Sequence, residues 1–179
     1  MSPGKGLEDL RLPPEAAETL RAVRDEMETL SHGMGRNSLT AIPLSSGVAV
    51  LVDGGDPAAR SGVAEALASD LQRDLFRLDL TAIVSQYIGE TEKNLERVFE
   101  MAQQAGAVLY FDEADALFGR RTGVTDAHDR YANVEVSYLL QRIESYEGLV
   151  ILATNARTNI DPAFVRRLRY VVALASPKG

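Results

Sequence analysis

The chain has 179 residues, enough for one domain with a sizeable core, and its 45% hydrophobic and 25% charged content is ordinary for a soluble globular protein. A formal charge of −7 argues against broad nucleic-acid binding. No apolar run is long enough to span a bilayer, the first residues carry no hydrophobic signal segment, and there are no cysteines, so the expected location is cytoplasmic, without disulfide or Cys-metal chemistry.

Residues 1–37 read as a lead-in and a packing helix. Pro13–Pro14 gives an extended approach and a helix start, and Leu20, Val23, Met27 and Leu30 then recur at three and four. Residues 38–179 read as an α/β core. Val48–Val52 is its first strand, Asp53–Arg60 a turn, and Ser61–Leu71 a helix with Val63, Leu67 and Leu71 on one face. Leu75–Leu80 is the next strand, followed from about Glu90 by a helix burying Leu95, Val98, Phe99 and Ala102. Val108–Phe111 is a third strand, and Gly119–Arg130 a polar loop holding Arg120, Arg121, His128 and Arg130. Tyr131–Tyr146 carries a stripe of Val136, Leu139, Leu140 and Ile143, as an amphipathic helix does. Leu149–Ala153 and Tyr170–Leu174 complete the strands, with a short helix between them that Asp161 caps and Pro162 opens. His32 and His128 form no metal motif.

The chemistry concentrates in Val108–Gly119, VLYFDEADALFG. Its apolar run reads as a strand buried on both faces that delivers Asp112 and Glu113 to its carboxyl end, where open α/β sheets place ligands. Adjacent acids there suit a division of labour, Asp112 holding Mg²⁺ and Glu113 orienting a water. The alternative is a turn with merely solvated acids. Upstream, strand, loop and helix surround Gly54-Gly55-Asp56-Pro57-Ala58-Ala59-Arg60-Ser61, the setting of a phosphate loop of pattern GxxxxGK[ST]. Gly54 and the hydroxyl of Ser61 fit that pattern, so Gly54, Gly55, Arg60 and Ser61 are candidate phosphate contacts and Ser61 with Asp112 candidate Mg²⁺ ligands. Ala59 and Arg60 replace the second glycine and the lysine. Arg60 keeps a charge but is bulkier than an ammonium, and Ala59 restricts close backbone approach. Asp56 adds a negative charge and Pro57 removes a donor. A loop that no longer grips triphosphate is therefore a real alternative.

DEADALFG resembles the Walker B segment of the AAA+ ATPases, and three further stretches agree in order: SQYIGETEKNLERVF (Ser85–Phe99), ILATN (Ile151–Asn155) and DPAFVRRLRY (Asp161–Tyr170). The chain thus resembles a single bacterial-type AAA module with a degenerate Walker A. That resemblance implies a three-layer α/β sandwich around a five-stranded parallel sheet of order 5-1-4-3-2. It implies ATP and Mg as cofactors, Asn155 as the sensor between γ-phosphate and water, and Arg166 and Arg169 as arginine fingers reaching a neighbour's nucleotide. Tyr87 and Ile88 match the pore loop that grips a substrate chain. A homo-oligomeric or mixed AAA+ ring acting on a protein substrate or partner is expected, as is the absence of the C-terminal lid, since few residues follow Leu174. The leading expectation is an ATP-hydrolysing remodelling motor. The rivals are a pseudo-ATPase scaffold and a regulatory subunit that donates arginines to an active neighbour.

Overall fold

The computed structural model describes residues 4–33, 47–79, 90–115 and 137–174. Five strands form one sheet: β1 (Val48–Asp53), β2 (Leu75–Asp79), β3 (Val108–Asp112), β4 (Leu149–Thr154) and β5 (Tyr170–Ala173). Their order across the sheet is β2-β3-β4-β1-β5, and every pairing is parallel. This is the 5-1-4-3-2 order that the resemblance implies, read from the other edge. Parallel neighbours need crossovers, and four helices supply them, α2 (Pro57–Asp70), α3 (Glu90–Ala105), α4 over 137–145 and the short α5 (Pro162–Val165), while α1 (Pro14–Gly33) precedes the first strand. Single 3₁₀ turns occupy Leu7–Asp9 and Arg157–Asn159.

Side chains alternate between the two faces of each strand, so the sheet carries two cores. On one face Val50, Val52, Tyr110, Ile151 and Ala153 meet Leu20, Val23 and Met27 of α1 and Val63, Ala64 and Leu67 of α2. On the other, Leu51, Leu109, Phe111 and Leu152 meet Leu95 and Phe99 of α3, Leu139 and Ile143 of α4, and Phe164 of α5. Phe99 stacks on Phe111 at 6.3 Å between ring centroids and meets Tyr146 edge-on at 5.9 Å. The central strands are apolar on both faces because helices cover both, and β4 is buried along all of Leu149–Thr154.

The structure departs from the sequence expectation at one functionally placed element. α2 begins at Pro57, not Ser61, so the helix extends through the stretch that the phosphate-loop pattern predicts to be a turn. Asp56 takes the N-cap, its carboxylate accepting the Ala59 N–H, and Pro57 occupies the first helical position, where a missing N–H costs nothing.

Candidate functional site

Parallel strands bring their carboxyl ends to one edge, and the register fixes which residues meet there. Asp79 pairs with Asp112, Phe111 with Leu152, and Asp53 with Thr154. The Gly54–Asp56 turn, the Asp112–Asp115 turn and Thr154–Asn155 therefore line one edge of the sheet.

The loop after β1 has only three residues. Gly54 and Gly55 both have positive φ, 88° and 70°, which brings the chain straight from Asp53 into the Asp56 cap. Gly54 donates its N–H to the Thr154 carbonyl at 2.9 Å. A Cβ on Gly55 would stand 3.2 Å from the Ala59 methyl and 3.4 Å from Leu174, so the turn lies closely against the helix it feeds. Most of the donors a phosphate loop would present are committed here. Pro57 has none, Ala59 N–H bonds the Asp56 carboxylate at 2.7 Å, and Arg60 N–H bonds the Asp56 carbonyl at 3.1 Å.

Arg60 is the second feature. Only 4% of it is exposed, and its guanidinium bridges two elements. Nε donates to Asp112 Oδ1 at 3.2 Å and Nη1 donates to the Gly55 carbonyl at 2.7 Å. The arginine that the sequence pattern aims at phosphate instead lies on the carboxylate that the pattern reserves for Mg²⁺. Asp112 Oδ1 also accepts the Glu113 N–H at 2.8 Å. Ser61 sits beyond the first turn of α2, its hydroxyl reaching Glu65 at a long 3.4 Å.

Glu113 adopts φ 56°, a left-handed conformation that costs a non-glycine residue about 1–2 kcal/mol. That twist leaves the Glu113 side chain exposed and lets Ala114 donate to the Ala153 carbonyl at 3.0 Å. Next to it, the buried Thr154 hydroxyl donates to Asp115 at 2.7 Å and accepts the Ala156 N–H at 3.0 Å, fixing the chain on both sides of exposed Asn155. Beneath the edge, Tyr110 is 4% exposed, and among the described residues its hydroxyl makes no hydrogen bond of good geometry, although it lies near the Asp112 carboxylate. Burial, then the nearby Asp112 charge, pushes its pKa up to about 12.

At the far end of the chain, Arg166 is exposed, and its Nε donates to the Pro162 carbonyl at 3.3 Å. Arg169 is paired with Glu26 of α1, which also accepts the Tyr170 hydroxyl. Tyr87 and Ile88 lie outside the described residues, as do Arg120, Arg121, His128 and Arg130. Sequence reasoning passed over Thr154 and Tyr110 because both look like ordinary strand residues.

A parallel sheet of this order with helices on both faces, and a glycine turn leading from β1 into α2, has the fold of the P-loop NTPases. The comparisons narrow that class. The profile of the ATPase family associated with various cellular activities (AAA) matches residues 57–176, well over half of the chain. The chain belongs to the AAA ATPase family. It is 37% identical over 117 residues to an uncharacterized AAA family ATPase of Sinorhizobium fredii, covering 64% of this chain and 35% of that protein. It is 34% identical over 122 residues to a cell division cycle protein 48 homolog of Archaeoglobus fulgidus, covering 65% of this chain and 16% of that one. It therefore spans well under two thirds of the length of these relatives. The crystal structure of the FIGL-1 AAA domain matches 97% of this chain and 56% of its own, with a TM-score of 0.69 at 22% identity, which supports the fold.

The family implies ATP, typically with Mg. The described residues do not fit that pair in this geometry. Arg60 already holds Asp112, Asp56 already caps the helix that would face the phosphates, and Ala59 packs where the loop would need to open.

Proposed function

We propose that this domain is an AAA+ component of an oligomeric, protein-directed assembly, and that it contributes as a scaffold or regulatory subunit without turning over ATP. The observation that carries the reading is the ion pair between buried Arg60 and part-exposed Asp112. A metal-binding carboxylate must be free to approach its cation, and this one is engaged by a buried guanidinium that would keep only the Gly55 carbonyl and lose its counter-charge if the carboxylate moved. In the proposed assembly Arg166 faces a neighbour's nucleotide, while Tyr87 and Ile88 contact a protein chain in the channel. The likeness to a 26S proteasome regulatory protein, 10B, of Dictyostelium discoideum (31% identical) and to a katanin p60 ATPase-containing protein of Danio rerio (32%) supports a protein partner and an oligomer. A cytoplasmic location belongs to the same proposal. Among the described residues no helix is long and apolar enough to cross a membrane.

The motor reading keeps one observation in its favour. Glu113 and Asn155 are both exposed at the same edge, and among the described residues neither carboxylate nor amide is engaged by a hydrogen bond. Calorimetric titration with Mg·ATP and a phosphate-release assay separate the two readings. The proposal expects neither binding in the micromolar range nor release above background. Steady Mg·ATP turnover by the unmodified chain restores the motor.

A further inference from the structure

We infer that the nucleotide site of this domain is occupied by its own side chains: Asp56 stands in for a phosphate at the start of α2, and Arg60 stands in for the cation on Asp112. This deepens the reading above and rests on it. The inference concerns what the two residues do in place of a ligand, beyond the ligand they displace.

Three features point the same way. The first is at the helix start. A helix N-terminus attracts an anion because its first N–H groups lack partners and the helix dipole is positive there. Asp56 supplies that anion internally, with Oδ1 at 2.7 Å from the Ala59 nitrogen. The second is at the strand end. The guanidinium of Arg60 links the Gly54–Asp56 turn, α2 and β3 through Gly55 and Asp112. A phosphate-bound cation would join the same three elements, because phosphate-loop backbone, helix hydroxyl and strand carboxylate all converge on it. The third lies beneath them. Among the described residues the Tyr110 hydroxyl is buried and makes no hydrogen bond of good geometry, with the Asp112 carboxylate close by, two residues on along the same face of β3. A buried polar group left over in this way is unusual, and it marks a place where the polar shell is shaped for more than the present side chains provide.

The consequence is a domain held permanently in the arrangement that a ligand would otherwise impose. A protein that binds a ligand only when folded gains stability from it by mass action. Here the stand-ins are covalently part of the chain, so that gain is constant and independent of the nucleotide supply. A subunit of this kind keeps one geometry through every cycle of its neighbours.

The test is rescue of stability by the missing ligand, read as the melting temperature of the full chain. Wild type shows no specific shift with inorganic pyrophosphate or with Mg²⁺. Asp56→Ala melts about 2–4 °C lower, and pyrophosphate raises it again. Asp56→Asn, which keeps the cap but not the charge, melts near wild type and ignores pyrophosphate. Arg60→Met melts lower, and millimolar Mg²⁺ restores it unless Asp112→Asn is also present. Sodium sulfate at matched ionic strength corrects for general salt stabilisation. A folded variant whose response to its ligand does not exceed the wild-type response overturns the corresponding stand-in. A variant that unfolds supports the inference if the ligand restores folding, and counts against it otherwise. Failure of these rescues with no Mg·ATP binding by wild type defeats this inference alone. Mg·ATP turnover by wild type defeats the proposed function as well.

Discussion

Thr154 and Asp115 are joined by a 2.7 Å hydrogen bond from a fully buried hydroxyl, across 39 residues of sequence. The same hydroxyl accepts the Ala156 N–H, so one threonine ties the end of β4 both to the acidic turn after β3 and to its own continuation. Asn155 sits between these anchors. Thr154→Val keeps the shape but strands a backbone donor and one carboxylate contact, which costs roughly 1–3 kcal/mol. Urea unfolding should show the loss with an unchanged m-value. Thr154→Ser, which keeps the hydroxyl, should lose clearly less.

Glu26 yields a second expectation. Of the two arginines expected to reach a neighbour, Arg169 is engaged within the chain and Arg166 is exposed at the end of α5. Arg166→Ala should leave stability within about 0.5 kcal/mol of wild type, as for other exposed positions. Glu26→Ala removes the acceptor for Tyr170 and the partner of Arg169 together, so it should cost about 1–2 kcal/mol and loosen α1 from β5. Hydrogen exchange along α1 would reveal that loosening. Equal effects of the two substitutions would mean that the Glu26 contact adds nothing to the docking of α1.

How much of this was legible in the sequence depends on whether the determinant is local. The strands and their apolar faces follow from short runs such as Val108–Phe111, and their order follows from the family resemblance, since no local pattern encodes it. The two Asp-Pro pairs are instructive. At Asp161–Pro162 the residues predict a cap and a first helical position, and the structure has both. Asp56–Pro57 has the same two residues, and there too they cap and open a helix. The phosphate-loop pattern, laid over that stretch, predicts a turn through Arg60 and hides the local signal. The Arg60–Asp112 pair is of another kind. Its partners lie 52 residues apart on α2 and β3, and only the packing of that helix on that strand brings them together.

Tyr146 predicts a pH dependence. It is buried, its hydroxyl donates to the Ala107 carbonyl, and burial pushes its pKa up to about 12 from an ordinary value near 10. The folded state therefore holds this proton more tightly than the unfolded chain. Its contribution is fully present below pH about 10 and is lost as pH rises through about 12, by up to about 1.4 kcal/mol per pH unit. Tyr146→Phe should be less stable at pH 7, because it leaves the carbonyl unpaired, yet its stability should fall less steeply between pH 10 and 12. Parallel alkaline limbs for the two proteins would contradict the assignment.

Restoring the phosphate loop is the most demanding expectation, because it reverses each obstacle by name. Ala59→Gly removes the methyl that packs against Gly55, Arg60→Lys withdraws the guanidinium from Asp112, and Asp56→Gly removes the carboxylate at the helix start. Applied singly, each change leaves the other two in place, so ATP affinity should rise little. Applied together, they leave a compact ammonium, an unoccupied N–H at position 59 and an Asp112 released from the guanidinium, at the edge that also carries Ser61, Glu113 and Asn155. Calorimetry should then detect Mg·ATP binding where wild type shows none, at least tenfold tighter than with the best single change. The triple variant will also be less stable without nucleotide, since it loses both the cap and the Arg60–Asp112 ion pair, and Mg·ATP should raise its melting temperature. Glu113→Gln in that background should keep binding and abolish any phosphate release, because it removes the water-orienting carboxylate and leaves Asp112 untouched. If the triple variant folds and still ignores Mg·ATP, the closure lies deeper than these three residues.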